Sequence, residues 1–182
     1  NIVLSGVNST YILGNILTSL GKGFEYNPDA QIVITDSQME TEILNNVFSG
    51  LSGVDGIVQI NAEKYAYDVN LEDNVFIANS ASRGGALFLS AQLESSGGLF
   101  PTAIVKNCLF ALGKVSILHD QSVGAGKGGA IYQTTSKENK QELIILNSVF
   151  LENIAEVYGG AIYFDYSLPD IDSLSIFREN YA

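Results

Sequence analysis

The stretch that decides the fold is NSVFLENIAEVYGGAIY, residues 147–163. It joins two tetrapeptides, Phe-x-x-Asn at residues 150–153 and Gly-Gly-Ala-Ile at residues 159–162, and both return elsewhere in the chain. Phe-x-x-Asn also begins at residues 24, 76 and 177, and Gly-Gly-Ala-(Leu/Ile) begins at residues 84 and 128. Motifs that recur in a fixed order indicate a stacked repeat array, in which each unit packs on its neighbours.

Alignment on the motif phenylalanine defines a register for the repeat. Six phenylalanines fall on it: Phe24, Phe48, Phe76, Phe110, Phe150 and Phe177. Short apolar runs bounded by Asn, Asp or Gly surround most of them and predict short strands. No segment keeps a helical apolar period over about twelve residues, so few helices are expected. Units made only of short strands pack as turns of a parallel β-helix, about 4.8 Å apart.

Each motif residue has a physical task in such a coil. Phenylalanine is predicted to point inward and stack on the ring of the next coil. Asparagine tolerates left-handed backbone angles and bonds backbone groups of the adjacent coil. The predicted corner and ladder positions are Asn27, Asn45, Asn79, Asn107, Asn147, Asn153 and Asn180. The predicted tight turns are Gly84, Gly85, Gly128, Gly129, Gly159 and Gly160. Glycine suits a sharp re-entry into a strand.

The units differ in the length of their connections. Three insertions rich in Gly, Ser and charge are predicted surface loops, at residues 91–102, 113–127 and 133–142. In repeat proteins, insertions on one face often mark the interacting face. We interpret residues 1–182 as a single β-helix segment of a longer repeat protein. The start lacks an initiator Met and the basic region of a signal peptide, and the last Phe-x-x-Asn has no Gly-Gly-Ala after it.

Composition limits the classes of function. Twenty acidic against nine basic residues give a net charge of −11. With no basic stripe, nucleic acid is excluded as a partner and an anionic membrane surface is disfavoured. No run of about 18 apolar residues predicts direct membrane insertion. Cys108 is the only cysteine, so neither an internal disulfide nor a cysteine-based metal cluster is predicted.

Few residues suggest chemistry. The densest acidic patch, Asp165, Asp170 and Asp172, is a weak candidate for a Ca²⁺ site, and its spacing fits no EF-hand. The adjacent pair His119-Asp120 lacks the nucleophile motif that a catalytic dyad needs. No metal and no cofactor are therefore predicted.

Other polar and aromatic residues suggest surface roles. The two arginines, Arg83 and Arg178, are interpreted as solvated turn residues rather than as lyase bases. Asn8 heads the sole N-glycosylation sequon, Asn8-Ser9-Thr10. Outward tyrosines offer faces for stacking on sugars or on a partner. They are Tyr132, Tyr163 and Tyr166.

The alternation of Phe-x-x-Asn with Gly-Gly-Ala-(Ile/Leu) resembles the repeats of the polymorphic outer membrane proteins, bacterial autotransporter adhesins with β-helical passenger domains. Residues 147–163 carry this resemblance best, and it extends over about residues 24–182. Very similar repeats occur in large protist surface proteins of the pectin-lyase-like superfamily. The resemblance implies adhesion or surface architecture and an extracellular or cell-surface location.

The predicted fold class is all-β: a right-handed parallel β-helix, or solenoid, of about five to six coils with loop insertions. The residues themselves do not give the handedness. The predicted function is a non-enzymatic structural or adhesive scaffold in a cell-surface protein, coat or filament. Its expected partners are flanking coils or other protein chains, with glycans as a further class. The alternatives are a carbohydrate-active enzyme of the pectin-lyase type and a sugar- or calcium-binding module.

Overall fold

The computed structural model describes residues 2–18, 32–64, 67–93, 101–117, 125–137 and 141–182. All regular elements in these ranges are β-strands, and they contain no helix suited to crossing a membrane. In chain order the strands are β1 (Ile2–Ser5), β2 (Ser9–Leu13), β3 (Ile16–Thr18), β4 (Ile32–Thr35), β5 (Glu40–Leu44), β6 (Val47–Ser49), β7 (Val58–Ala62), β8 (Asp68–Glu72), β9 (Val75–Ile77), β10 (Ser80–Ala81), β11 (Leu87–Ala91), β12 (Thr102–Lys106), β13 (Leu109–Ala111), β14 (Lys114–Val115), β15 (Ile131–Thr135), β16 (Glu142–Leu146), β17 (Val149–Leu151), β18 (Ile154–Ala155), β19 (Ile162–Phe164), β20 (Asp170–Ile171) and β21 (Ile176–Arg178).

Three parallel sheets of six strands form the walls. Sheet A has the order β1-β4-β7-β11-β15-β19, sheet B the order β2-β5-β8-β12-β16-β20, and sheet C the order β3-β6-β9-β13-β17-β21. The chain passes from A to B to C in each of six coils, and we number the coils from 1 (β1–β3) to 6 (β19–β21). Coils 3 to 5 add a small sheet D, β10-β14-β18. The fold is a right-handed parallel β-helix of about six coils, and the predicted fold class is confirmed.

Alternating burial along the wall strands explains why these residues form the walls. In β8, Val69 and Leu71 are buried, while Asp68, Asn70 and Glu72 face outward. Successive side chains of a strand point to opposite faces, so one set fills the interior and the other meets solvent. Most of the buried apolar residues form one continuous core cluster inside the coils.

A single left-handed residue turns the chain from sheet B into sheet C. The backbone φ is 57° at Asn45, 56° at Asp73, 53° at Asn107 and 45° at Asn147. Asn and Asp adopt this conformation more readily than other residues with a side chain. The choice of Asn or Asp at this position therefore explains where the chain turns, and it can be recognised in the sequence.

The structure differs from the sequence prediction in coil 1 and in sheet D. In coil 1 Leu17 pairs with Phe48, so the register predicted at Phe24 is wrong. Phe24 and Asn27 themselves lie outside the described residues. Sheet D, which includes β18, was not predicted from the sequence.

The predicted insertions overlap strands at their margins. Residue 91 ends β11, residue 102 begins β12, and residues 114–115 form β14. Residues 133–135 complete β15, and residue 142 begins β16. The central parts of these insertions, with His119 and Asp120, lie outside the described residues.

Candidate functional site: the ladders and outer faces of the coil stack

The motif phenylalanines form a file of stacked rings through the interior. Ring centroids are 4.7 Å apart between Phe48 and Phe76, 5.0 Å between Phe76 and Phe110, 4.8 Å between Phe110 and Phe150, and 4.5 Å between Phe150 and Phe177. The interplanar angles are 9° or less. Four of these side chains are at most 1% exposed, and Phe177 in coil 6 is 42% exposed. The four are Phe48, Phe76, Phe110 and Phe150. Rings stacked this closely hold successive coils in register.

The Phe-x-x-Asn asparagines join neighbouring coils by hydrogen bonds. Asn79 accepts the backbone N–H of Leu51 at Oδ1, and its Nδ2 donates to the carbonyl of Phe48, both at 3.0 Å. Asn153 makes the equivalent pair of bonds to coil 4, and Asn180 makes them to coil 5. These side chains therefore satisfy backbone groups that the sheets leave unpaired at a corner.

A second polar column, which the sequence reading missed, lies at the corner between sheets B and C. We call it the corner ladder; its members are Asn15, Asn46, Asn74, Cys108, Ser148 and Ser175. The backbone N–H of Asn46 donates to Oδ1 of Asn74 at 3.0 Å, and that of Cys108 donates to Oγ of Ser148 at 3.1 Å. One feature of the sequence could have revealed this ladder. Two positions before Leu17 and before each stacked Phe there is a small or polar residue.

Cys108 has a structural place in the corner ladder. Its Sγ lies 3.3 Å from the carbonyl oxygen of Lys106 and 3.5 Å from that of Leu71. Burial raises the pKa of the Cys108 thiol to about 11, although hydrogen bonds from Asn74 act in the opposite direction. The side chain is therefore a neutral thiol that donates to backbone carbonyls and is a poor nucleophile at neutral pH.

The Gly-Gly pairs let adjacent coils touch backbone to backbone. The first glycine has a φ of 56° at Gly84, 71° at Gly128 and 68° at Gly159. The second glycines are Gly85, Gly129 and Gly160. A Cβ atom on Gly129 would collide with the carbonyl oxygen of Gly160 in the next coil. Glycine is required here for two reasons. The backbone of the next coil lies too close for a Cβ atom, and the first residue of each pair has a positive φ.

An aromatic column covers the outer face of sheet A. The ring centroid of Tyr132 lies 5.4 Å from that of Phe88 and 5.3 Å from that of Tyr163. Tyr132 is only 4% exposed, so neither of its faces is open for stacking on a sugar. Burial, aided by the charge of Asp165, raises the pKa of the Tyr132 phenol to about 12. Tyr166 is exposed and keeps open faces.

Cations pack against this column. Arg83 forms two hydrogen bonds with the Asp55 carboxylate, at 2.6 and 2.7 Å, and its guanidinium lies 5.0 Å from the ring centroid of Phe88. Nζ of Lys127 donates to the Tyr163 hydroxyl at 3.0 Å. The interpretation of Arg83 as a solvated turn residue is wrong, because a bidentate ion pair and a cation–π contact hold it.

The structure does not bring the candidate calcium ligands together. Asp172 accepts from the N–H and Oγ of Ser175 and from the N–H of Asn147, and the Ser175 hydroxyl is the main cause that lowers its pKa. Asp165 accepts from tyrosine hydroxyls on sheet A, and Asp170 lies in β20. Among the described residues, no group of three or more His, Cys, Asp or Glu could hold a metal ion.

Asn8 of the sequon lies in the turn between β1 and β2, and Ser9 and Thr10 begin β2. Asn8 is exposed, and its carbonyl accepts the N–H of Met39 at 2.9 Å. Thr10 points into the interior and is 3% exposed. The amide that would carry a glycan is therefore accessible, and glycosylation of Asn8 stays a prediction.

The outer faces of sheets B and C differ in charge. Sheet B presents the carboxylates Glu40, Glu42, Asp68, Glu72 and Glu142. Within β5, β8, β12 and β16 the one basic residue is Lys106, whose Nζ lies 2.6 Å from a carboxylate oxygen of Glu72. In sheet C the residues beside the buried Phe face outward, and they are mostly aliphatic. One wall of the rod is therefore acidic and the next is apolar.

The chain consists of stacked coils that internal ladders of side chains hold together. This architecture places it in the class of β-solenoid repeat proteins. Within that class, the model of the Chlamydia polymorphic membrane protein repeat matches residues 147–165. The matched segment includes β17, β18 and β19 and links coil 5 to coil 6, so the chain is similar to that repeat over one unit. Searches of curated proteins and of solved structures found no match.

Proposed function

We propose that the chain is a non-enzymatic, structural and adhesive β-helix segment of an extracellular cell-surface protein, coat or filament. The observation that carries the proposal is the match of residues 147–165 to a repeat of a membrane protein family. Those residues link coil 5 to coil 6, and their motif side chains are engaged in coil stacking. The segment would act as a rigid spacer that presents its loops and outer faces to partners.

The arrangement of the connections supports a presenting role. Residues 91–102 join β11 to β12 and residues 133–142 join β15 to β16, so both connect sheet A to sheet B in adjacent coils. Residues 113–127 leave from sheet D instead. Two of the three insertions therefore start from one edge of the rod, about one strand spacing of 4.8 Å apart. The proposed partners are other protein chains or flanking coils of the same protein.

The alternative of a pectin-lyase-type enzyme finds less support. A lyase needs a free base, and Arg83 is tied to Asp55 at 2.6 Å. A glycoside hydrolase needs a pair of carboxyl groups facing one another across the scissile bond. Beside sheet A, Asp165 accepts from the Tyr163 hydroxyl and Asp55 pairs with Arg83. On the acidic face of sheet B, Glu72 pairs with Lys106.

A paired assay tests the proposal. Beads coupled to the purified chain are added to cultured animal cells, with albumin beads as the control; attachment several-fold above the control is expected. A chain carrying Gly129→Ala, which disturbs coil stacking, should lose the attachment. The same preparation is incubated with polygalacturonate, pectin and neutral glycans, and reducing ends and unsaturated uronates are measured. Turnover above a heat-denatured control would overturn the non-enzymatic role, and unaltered background attachment would overturn the adhesive role.

A further inference from the structure

The outer face of sheet C carries a continuous column of aliphatic side chains beside a second column that is partly polar. We define the sheet C stripe by the outward residues of two adjacent columns. The first column is Ile16, Val47, Val75, Leu109, Val149 and Ile176, and the second is Thr18, Ser49, Ile77, Ala111, Leu151 and Arg178. All six members of the first column are aliphatic, and each pairs in register with the next. In β6, β9, β13 and β17 these side chains are partly exposed while the Phe between them is buried.

We propose that the sheet C stripe is a self-association surface on which a second copy of this chain docks laterally, sheet against sheet. The inference deepens the proposed scaffold function, on which it rests, by naming a lateral partner. Sheets pack face to face at about 10 Å by interdigitating side chains. A two-fold axis would set the same stripe of both copies against each other, as in most homodimers.

The spacing of the stripe favours a second copy over an unrelated partner. Its branched side chains repeat once per coil, about 4.8 Å apart, along six strands. A face with the same repeat can fill every gap between these rows, because its own ridges recur at that distance. Another copy of the chain presents such a face by construction.

Charge also selects this face. Each copy carries a net charge of −11, so contact through the carboxylates of sheet B would set like charges against each other. The sheet C stripe contains no carboxylate, and its single ionisable residue, Arg178, lies in coil 6 at one end of the described stack. Charges elsewhere on the rods are screened over a Debye length of about 8 Å at physiological salt. Two acidic rods therefore approach most easily along this face.

The area indicates how strong the contact would be. Six strands at about 4.8 Å and three residues at about 3.3 Å give a footprint of roughly 300 Å² on each copy. Stable interfaces bury about 800 Å² per partner. The association is therefore weak and concentration-dependent for this chain.

Sedimentation velocity measured from roughly 10 to 500 µM, the range of weak contacts, tests the inference. The wild-type chain should shift toward dimer as concentration rises. A double variant in the stripe, Val75→Lys with Leu109→Lys, should stay monomeric. The matched control, Gln59→Lys with Ser90→Lys, adds the same charge to the outer face of sheet A and should associate as wild type does. Circular dichroism verifies that each variant is folded.

Each outcome of the sedimentation experiment either supports or contradicts the proposed self-association. A wild-type chain that stays monomeric over the whole range overturns the inference, as does a stripe variant that associates normally. If the lysine variant fails to fold, Val75→Thr with Leu109→Thr keeps the strand shape while lowering apolarity, and the same reduction in association is expected. A monomeric wild type leaves the cell-attachment and turnover assays untouched. Failure of those assays would likewise leave the sedimentation result standing.

Discussion

Replacing Phe150 with alanine should strongly destabilise the coil stack. Phe150 is 0% exposed, and the rings of Phe110 and Phe177 cover its two faces at 4.8 and 4.5 Å. Truncating a buried Phe to Ala lowers the free energy of unfolding by about 3–5 kcal/mol. Two stacking contacts, each worth about 0.5–1.5 kcal/mol, are lost with the ring, so the upper half of that range is expected.

Phe177 provides the matched control. It has the same register position, but its strand β21 stands at the end of sheet C, its side chain is 42% exposed, and it stacks on one ring, that of Phe150. A side chain that is already partly hydrated loses less transfer free energy on truncation. Phe177→Ala should therefore lower the free energy of unfolding by only about 1–2 kcal/mol.

Urea unfolding followed by far-ultraviolet circular dichroism measures both losses. The slope of free energy against urea must match that of the wild type, because a repeat array can unfold in more than one step. A loss below about 1 kcal/mol at Phe150 would refute the role of the ring file. Equal losses at Phe150 and Phe177 would refute the argument from burial.

Three further changes test the ladders and turns. Asn74→Ala leaves the buried N–H of Asn46 without its acceptor, so urea unfolding should show a loss of about 1–3 kcal/mol in the free energy of unfolding, and Asn74→Ser should recover part of it. Gly129→Ala should lower the melting temperature far more than Gly6→Ala, since a Cβ on Gly6 meets no atom within 4 Å and only its φ of 63° is unfavourable. Cys108 should resist alkylation at mildly alkaline pH until urea unfolds the chain. Because its folded pKa is raised to about 11, the stability it contributes should fall as pH rises from the usual thiol pKa toward that value, and Cys108→Ser should remove this loss.

The coil register could be predicted because it depends on residue identity. Phe48, Phe76, Phe110 and Phe150 recur with recognisable flanks, and the structure pairs them directly. The same reading placed Phe24 in coil 1, where Leu17 stands. An aliphatic residue fills that position adequately, so a search for phenylalanine passes over it.

The corner ladder could not be read in this way. Its positions hold Asn, Cys or Ser, and what these share is small size and a polar atom that reaches the next coil. Sheet D was missed for a different reason, because strands of two residues are too short to show an alternation. The role of Arg83 depends on Asp55, 28 residues earlier, and only the coil closure brings the two together.

The direction of the backbone hydrogen bonds has a mechanical consequence. Bonds between neighbouring coils, such as Gly50 N–H to the carbonyl of Ile77, run along the length of the rod rather than across it. Tension applied along that length would load the bonds of the outermost coil first and peel coils away in succession. Where a coil contains 28 residues, its release would extend the chain by roughly 90 Å. Such a rod would yield in discrete steps under load, and each released coil could wind back onto the one beneath it.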